Sequence, residues 1–467
     1  MLSTNTSWPL ACFKFDLFST IILVLIDFRD FSMMLKKQYA ALLPILLAAG
    51  CATQQPMQQT SKPVRQGNVQ ITQTQTIKVK PAPVIIQKET VITPKPSYRS
   101  FSDWKSDFSM RAMSAGHNSS DVQRLLGSAY LNEQVISLDS GQPEFSKMPW
   151  DYADSAASDA RVATGKRKFS EQRSYLLRLE SQYGVNAEII AAIWGMESSY
   201  GAVTGNSHLP SALASLAYDG RRQEFAETQL LSLIELLQRG DISWSQLEGS
   251  WAGGMGETQF IPATWVKHGV DGDTNGHRNP WSTADALAST ANYLSNSGWV
   301  RGLAPFYEVT LPSSFDYSVA STKQPAYKWA ALGVDTIDDV NLDANTPMEL
   351  WLPAGKDGPA LLLSPNFDVI KVYNNSSNYA LGVSLLGKAI TGQSGLRKSW
   401  PRYERPLSTS QVTRLQQRLT SAGYDTKGTD GIIGTNTRNA FQRWQGDNNQ
   451  TPDGFISQNS ASSLTSW

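Results

Sequence analysis

The sequence predicts a mainly α protein with a small β-containing insertion, followed by a small three-helix C-terminal domain. Three observations carry that prediction. Ile189, Ile190, Ile193 and Trp194 recur at helical spacing. Tyr307-Glu308-Val309-Thr310-Leu311 and Met348-Glu349-Leu350-Trp351-Leu352 alternate apolar and polar, as half-buried strands do. Val412, Leu415 and Leu419 share one helix face near the C-terminus, and Ala440, Phe441 and Trp444 share another. With 467 residues the chain is too long for one core, so two or three domains are expected. Its 41 basic residues balance 41 acidic ones, which excludes nucleic-acid binding through bulk positive charge and an acidic disordered tail. The 14 Trp, 16 Tyr and 16 Phe serve core packing first, although flat apolar faces with a few polar groups also build sugar grooves. Cys12 and Cys51 are the only cysteines, so no disulfide framework is expected.

Residues 1–51 read as an address. Leu17 to Ile26 lies between Asp16 and Asp27 and is too short to span a bilayer. A second apolar run, Ala40 to Leu47, follows Lys36-Lys37 and ends Ala48-Ala49-Gly50-Cys51. A basic start, a short apolar stretch and small residues describe a secretory signal. The Cys after Ala-Gly resembles a bacterial lipoprotein signal, in which Cys51 is lipidated and becomes the mature N-terminus, although Ala48 stands where Leu is usual. On that reading translation starts at Met33 or Met34, and Ala52 in place of an Asp favours the outer membrane. The alternative is a buried helix ending in a structural Cys. Residues 52–100 are rich in Gln, Thr, Pro, Lys and Val with almost no aromatics, so they cannot close a core and read as a tether.

The helical body begins at Phe101. Asn186 is the expected N-cap of a helix through Met196, and one turn after Ile193 comes Glu197, continuing the apolar stripe. Gly201, after Tyr200, supplies a left-handed stop. A carboxyl at the end of an apolar stripe is partly desolvated, which favours the neutral form that a general acid needs. The same placement suits a Glu paired with a buried Arg or capping a backbone, and one helix does not separate the two.

Neighbouring motifs do. Ala192-Ile193-Trp194-Gly195-Met196-Glu197-Ser198-Ser199-Tyr200-Gly201 resembles the catalytic helix of the membrane-bound lytic murein transglycosylase B family. Leu213 to Asp219 with Arg221-Arg222 is similar to that family's paired-arginine segment, and Gly249 to Pro262 to its glycine-rich Gln loop. Ala291-Asn292-Tyr293, and Tyr373-Asn374 leading into Tyr379-Ala380-Leu381, match two further motifs in order. The resemblance covers about residues 101–395 and implies a lysozyme-like core within a catalytic domain at 101–398. It implies that Ser250, Gln259, Tyr293, Tyr373 and Asn374 line a cleft around Glu197, and that Arg221 and Arg222 meet carboxylates of peptidoglycan. Glycines 253, 254 and 256 permit close backbone approach, and Gln259 carries a donor and an acceptor suited to sugar hydroxyls.

Ordinary glycosidases use two carboxylates. The resemblance implies one: Glu197 protonates the bond between N-acetylmuramic acid and N-acetylglucosamine, then takes the proton of the muramic C6 hydroxyl as a 1,6-anhydro ring closes. Glu257 is the nearest second carboxylate, where the family motif requires no acid; were it essential, hydrolysis would be the better reading. No cofactor is required by this chemistry.

Asp271-Gly272-Asp273-Thr274-Asn275-Gly276-His277 places oxygen ligands at alternate positions with Gly sixth, like the start of a calcium loop. Position twelve is Ser282 rather than Glu, so Asp285 would close the site, with His277 giving its carbonyl. Such a calcium would be structural; the alternative is an Asx-rich turn without metal.

After about Arg402 the chain changes character. Asp430-Gly431-Ile432-Ile433-Gly434-Thr435-Asn436-Thr437 and the echo at Asp453-Gly454-Phe455 are similar to the three-helix peptidoglycan-binding domain of cell-wall enzymes, over residues 405–467. The expected protein is a lytic transglycosylase of the bacterial envelope, held at the outer membrane by a lipid and facing the periplasm, with peptidoglycan as partner and no nucleic acid. Two rivals remain: a muramidase on the same scaffold, and a non-catalytic lipoprotein that tethers the wall.

Overall fold

Capped amphipathic segments set the helical order. The computed structural model describes residues 98–140 and 147–464. The expected signal, Cys51 and nearly all of the tether lie outside these residues. Ser100 caps α1 (Phe101–Ser114) by accepting from Asp103 N–H, and Asn118 caps α2 (Ser119–Ser128) through Ser120 and Asp121. There follow α3 (Glu133–Ser140), α4 (Pro149–Ala156), α5 (Asp159–Glu171), α6 (Arg173–Tyr183) and α7 (Ala187–Ser198). A two-residue strand β1 (Ser207–His208) leads into α8 (Leu209–Asp219) and α9 (Gln223–Arg239), and β2 (Glu248–Gly249) pairs back on β1. Next come α10 (Pro262–His268) and α11 (Thr283–Asn296).

Two helical cores result. One surrounds α7 with Leu176, Leu287, Phe367 and Leu386; the other joins α1, α2, α8, α9 and α10 through Trp104, Phe108, Leu213 and Leu233. Trp104, Trp194, Trp265 and Trp329 are fully buried, so these tryptophans pack cores and line no groove. The buried Glu227 on α9 is satisfied by Trp104 Nε1 at 3.0 Å and by both Arg111 terminal nitrogens at 2.7 and 2.8 Å, which ties α1 to α9. Burial pushes that carboxyl up, and the Arg111, Gln223 and Trp104 hydrogen bonds outweigh it, leaving the group below the usual carboxylate range.

The strand-like interval folds as an antiparallel sheet in the order β4-β6-β7-β3-β5. Its strands are β3 (Phe306–Thr310), β4 (Lys323–Pro325), β5 (Asp335–Thr336), β6 (Pro347–Trp351) and β7 (Ala360–Leu363), with α12 (Ala326–Ala331) after β4. Both alternating runs read from the sequence are strands, each beginning one residue earlier than the run. Then α13 (Pro365–Tyr373) and α14 (Ser377–Ile390) return to the α7 core.

The C-terminal module holds α15 (Thr409–Ser421), with a capping box between Ser408 and Gln411, and α16 (Thr435–Asp447). Leu415, Leu419, Ala440 and Phe441 form its core. The expected last helix is a run of turns through Leu464. Its stretch Gln458–Leu464 is too short and Ser-rich to sustain a helical ladder. The module packs on the rest of the molecule, Phe455 meeting Trp150 and Ala354, and both belong to one compact unit. Among the described residues no helix is long and apolar enough to cross a membrane.

Candidate active site

Helix α7 is buried on every side from Ile189 to Gly195, more deeply than a single apolar stripe requires. Asn186 occupies the N-cap position without a side-chain capping bond; its Nδ2 donates instead to Glu188 Oε1 at 3.2 Å. The C-terminal stop also differs from expectation. Left-handed backbone begins at Ser199 (φ 52°) and continues through Tyr200 (φ 63°) and Gly201 (φ 82°), so the helix runs to Ser198. Two consecutive non-glycine residues in this region are uncommon. Tyr200 compensates by burying its ring edge-on against Trp194 at 5.4 Å.

Glu197 sits in the last turn of α7, half-buried. Tyr379, on α14 and 3% exposed, donates its hydroxyl to Glu197 Oε1 at 2.6 Å. Burial, reinforced by the Glu197 charge, holds the Tyr379 hydroxyl well above the ordinary tyrosine range, so it remains a donor. Tyr373, at the end of α13, gives its hydroxyl to Thr258 O in the Gln loop. Burial pushes that hydroxyl up as well, with Glu197 the next cause. Tyr293 on α11 donates to Val372 O at 3.3 Å. Its ring lies 5.8 Å from Tyr373 and 5.5 Å from Phe260, and Phe260 lies 5.2 Å from Tyr373, so the three make edge-to-face contacts. Asn374 follows as the exposed C-cap of α13.

The Gln loop folds back on itself, with Ser250 N–H bonded to Gly254 O at 2.8 Å and Met255 N–H to Phe260 O at 2.9 Å. Ser250 Oγ accepts from Gly254 N–H at 2.8 Å. A side chain on Gly254 would meet Gln259 Oε1 at 2.7 Å and Ser250 Oγ at 2.9 Å, so its bare Cα brings those two oxygens together. Gln259 departs from expectation. Its backbone is left-handed (φ 52°), and its Nε2 donates to Thr204 O at 2.9 Å and Gly256 O at 2.8 Å. The amide donors serve the turn, which leaves the carbonyl as its acceptor.

Arg221 and Arg222 have a prior engagement. Both bridge to Asp139 of α3, at 3.2 and 3.1 Å, and Arg221 also holds Asp219 at 2.7 Å. They clamp α3 to the α8–α9 turn. Glu257 Oε1 accepts from Thr283 Oγ1 at 2.8 Å, and burial pushes its carboxyl up.

In the Asp-rich loop one carboxylate oxygen each of Asp271, Asp273 and Asp285 lies within 4.8 Å of the others. Asp271 accepts from Asn275 and Gly276 N–H at 3.1 and 2.8 Å, and the fully buried Asp285 from Gly272 and Asn279 N–H at 2.7 and 2.8 Å. Asn275 Oδ1 is taken by His277 N–H at 2.8 Å. Ser282, in the twelfth position, caps α11 and turns its hydroxyl to Asp273 at 3.4 Å. The carboxylates of Asp271, Asp273 and Asp285 therefore come together, and Asn275 Oδ1 shapes the turn.

Tyr379 is the site residue that sequence reasoning left out of the cleft. It lies in a matched motif, but only folding brings its hydroxyl to a carboxylate 182 positions away.

The Transglycosylase SLT domain matches residues 100–388, and a Putative peptidoglycan binding domain matches residues 408–460. The chain is 27% identical over 381 residues to Membrane-bound lytic murein transglycosylase B of Escherichia coli (strain K12), covering 76% of this chain and 98% of that protein. SltB3 from Pseudomonas aeruginosa, crystallised in complex with NAG-anhNAM-pentapeptide, is 40% identical with a TM-score of 0.75, over 79% of this chain and 100% of that one. Escherichia coli lytic transglycosylase Slt35 in complex with calcium is 27% identical with a TM-score of 0.54, over 64% and 94%.

Proposed function

The chain belongs to the lytic transglycosylases of the membrane-bound murein transglycosylase B family and is an enzyme of peptidoglycan; from this premise we propose that Glu197 alone carries acid and base roles. The observation that supports this most is the 2.6 Å bond from Tyr379 to Glu197 at the end of a buried helix. Neutral Glu197 gives its proton to the oxygen leaving muramic C1, and the C1–O bond breaks. The substrate's own 2-acetamido oxygen supports the positive charge at C1. Glu197, now a carboxylate, takes the proton from the C6 hydroxyl as that oxygen bonds to C1, closing a 1,6-anhydro ring. Tyr379 donates to the carboxylate that forms, stabilising charge where it develops. Ser250, Gln259, Tyr293, Tyr373 and Asn374 form the cleft wall. Arg221 and Arg222, both paired with Asp139, would meet a lactyl or peptide carboxylate by exchanging that partner at the surface.

The deciding experiment is mass spectrometry of fragments released from purified peptidoglycan by the protein and by Glu197→Gln. The expected products are one water lighter than hydrolysis products and absent with the variant. Full-weight reducing ends would establish a muramidase instead, and activity in the variant would remove Glu197 as the acid.

Three further readings complete the proposal. The family relative named above is membrane-bound, and lipidation at Cys51 would hold this chain at the outer membrane, facing the periplasm. Cys51→Ala should then move it from the membrane pellet to the soluble periplasmic fraction; a variant that still pellets would exclude the anchor. The module at 408–460 would hold the same wall polymer. The carboxylates of Asp271, Asp273 and Asp285 fit a hard divalent cation, being oxygen donors of like charge that lie within 4.8 Å of one another. Calcium held there would neutralise the loop and lock the α10–α11 connection, with no part in bond cleavage.

A further inference from the structure

The mechanism leaves Glu257 without a task, yet the turn that follows Glu197 is built against it. A side chain on Gly201 would meet the Glu257 carboxyl carbon at 2.8 Å and its oxygens at 2.9 and 3.0 Å, so the left-handed turn lies directly on that carboxyl. Ser198 Oγ–H donates to the Glu257 carbonyl, and Gly201 N–H donates to Ser198 Oγ at 2.8 Å. Glu257 is itself fixed from the other side. Its N–H donates to Pro280 O at 2.9 Å, and its Oε1 accepts from Thr283 at the start of α11.

Two buried polar atoms nearby lack a partner at normal hydrogen-bond geometry, Glu257 Oε2 and Trp194 Nε1. Their side chains are close enough for the indole N–H to favour the charged carboxylate. A small rotation would therefore join an acceptor to a donor and satisfy both. Trp194 lies three residues before Glu197, on the same side of α7 one turn earlier.

We propose that Glu257 is a positioning residue: it braces the Ser199–Gly201 turn and the Trp194 face of α7, and so fixes the angle at which Glu197 meets the glycosidic oxygen. This rests on Glu197 being the acid. Misplacement by about 1 Å at a catalytic group lowers rates by up to about a hundredfold, so a brace this near the acid has a measurable effect.

The test uses the full chain on soluble glycan fragments, with Glu257→Gln, Glu257→Leu and Glu197→Gln side by side, measuring kcat, KM and melting temperature. Glu257→Leu removes every side-chain hydrogen bond and should lower kcat per folded molecule about tenfold with KM within about twofold. Glu257→Gln keeps an acceptor and the shape, and should restore kcat to within about threefold of the parent. A purely structural role would lower the melting temperature and leave kcat of the folded fraction unchanged. Wild-type kcat in Glu257→Leu overturns the brace. Glu257→Gln as inactive as Glu197→Gln would make Glu257 a chemical group and overturn it too. Should Glu257→Leu fail to fold, Thr283→Val removes the carboxyl's partner from outside, and an unchanged kcat there overturns the proposal. Activity in Glu197→Gln would remove the acid assignment itself, whatever the Glu257 variants do.

Discussion

A tyrosine hydroxyl on the acid's own carboxyl orients the proton before transfer and steadies the negative charge afterwards. On the proposed mechanism Tyr379 would do both through its 2.6 Å bond to Glu197, and its burial keeps the hydroxyl protonated. Hydrogen bonds to charged groups are worth about 1.5–3 kcal/mol, so Tyr379→Phe should lower kcat about 10–100-fold. KM should stay within about threefold, since the lost interaction strengthens as charge develops. Steady-state kinetics on soluble fragments checks this, and a parent-like kcat would leave Tyr379 a packing residue. The place of Glu197 in the last turn of α7 was legible in the sequence because it continues the apolar stripe of Ile189, Ile190 and Ile193. Tyr379 was not, because nothing local to it differs from any buried aromatic. The amide donors of Gln259 and the guanidinium groups of Arg221 and Arg222 were read as free for substrate. The fold uses them for a left-handed turn and for Asp139.

Elements were legible where one face decides the pattern. The strands β3 and β6 alternate because Val309, Met348 and Leu350 face the core around Trp329, while Phe306 and Trp351 turn to the α7 core on the other side and the polar residues between them are only half-buried. Helix α7 was found, but its all-round burial was not, because Ala191, Ala192 and Gly195 read as neutral until neighbouring helices close over them. The Asp-rich loop lies between these cases: its spacing gathers Asp271 and Asp273, and Asp285 joins them from α11, thirteen residues after Gly272. If calcium binds there, a hundredfold excess over Kd stabilises by about 2.7 kcal/mol, or roughly 5–10 °C in Tm at the 2–4 °C per kcal/mol of larger domains. Thermal melts with calcium, with magnesium and with chelator should show the rise for calcium alone. Asp273→Ala should abolish it, leaving catalysis by the folded protein intact. A melting temperature indifferent to calcium would make the loop an Asx-rich turn.

At the scale of the whole molecule, the C-terminal module matters for how it is attached. A sequence change near Arg402 announced a separate domain, and sequence gave no sign that this domain is docked. Four polar links cross the junction: Arg402 to Asp154 at 2.7 Å, Tyr403 to Asp357 at 3.5 Å, Lys356 N–H to Asp453 at 3.0 Å, and Gln442 to Tyr317 O at 3.0 Å. The Arg402 and Asp154 side chains are 55% and 54% exposed, so that pair contributes at most about 1 kcal/mol. Phe455, 6% exposed and packed on Trp150 and Ala354, contributes more, since truncating a buried Phe costs about 3–5 kcal/mol. The docking is thus mainly apolar, and it fixes where the module lies relative to the rest of the compact unit. Phe455→Ala should loosen the junction while sparing the α15–α16 core, whose buried residues are Leu415, Leu419, Ala440 and Phe441. Limited proteolysis should then cut faster between residues 396 and 406. Turnover of intact sacculi should fall about 3–10-fold, as expected when a second attachment loses its effective concentration, while soluble fragments are cleaved within about twofold of the parent rate. Equal losses on both substrates would mean that the module supports the catalytic fold itself, and no loss on either would mean that docking does not guide the wall to the acid.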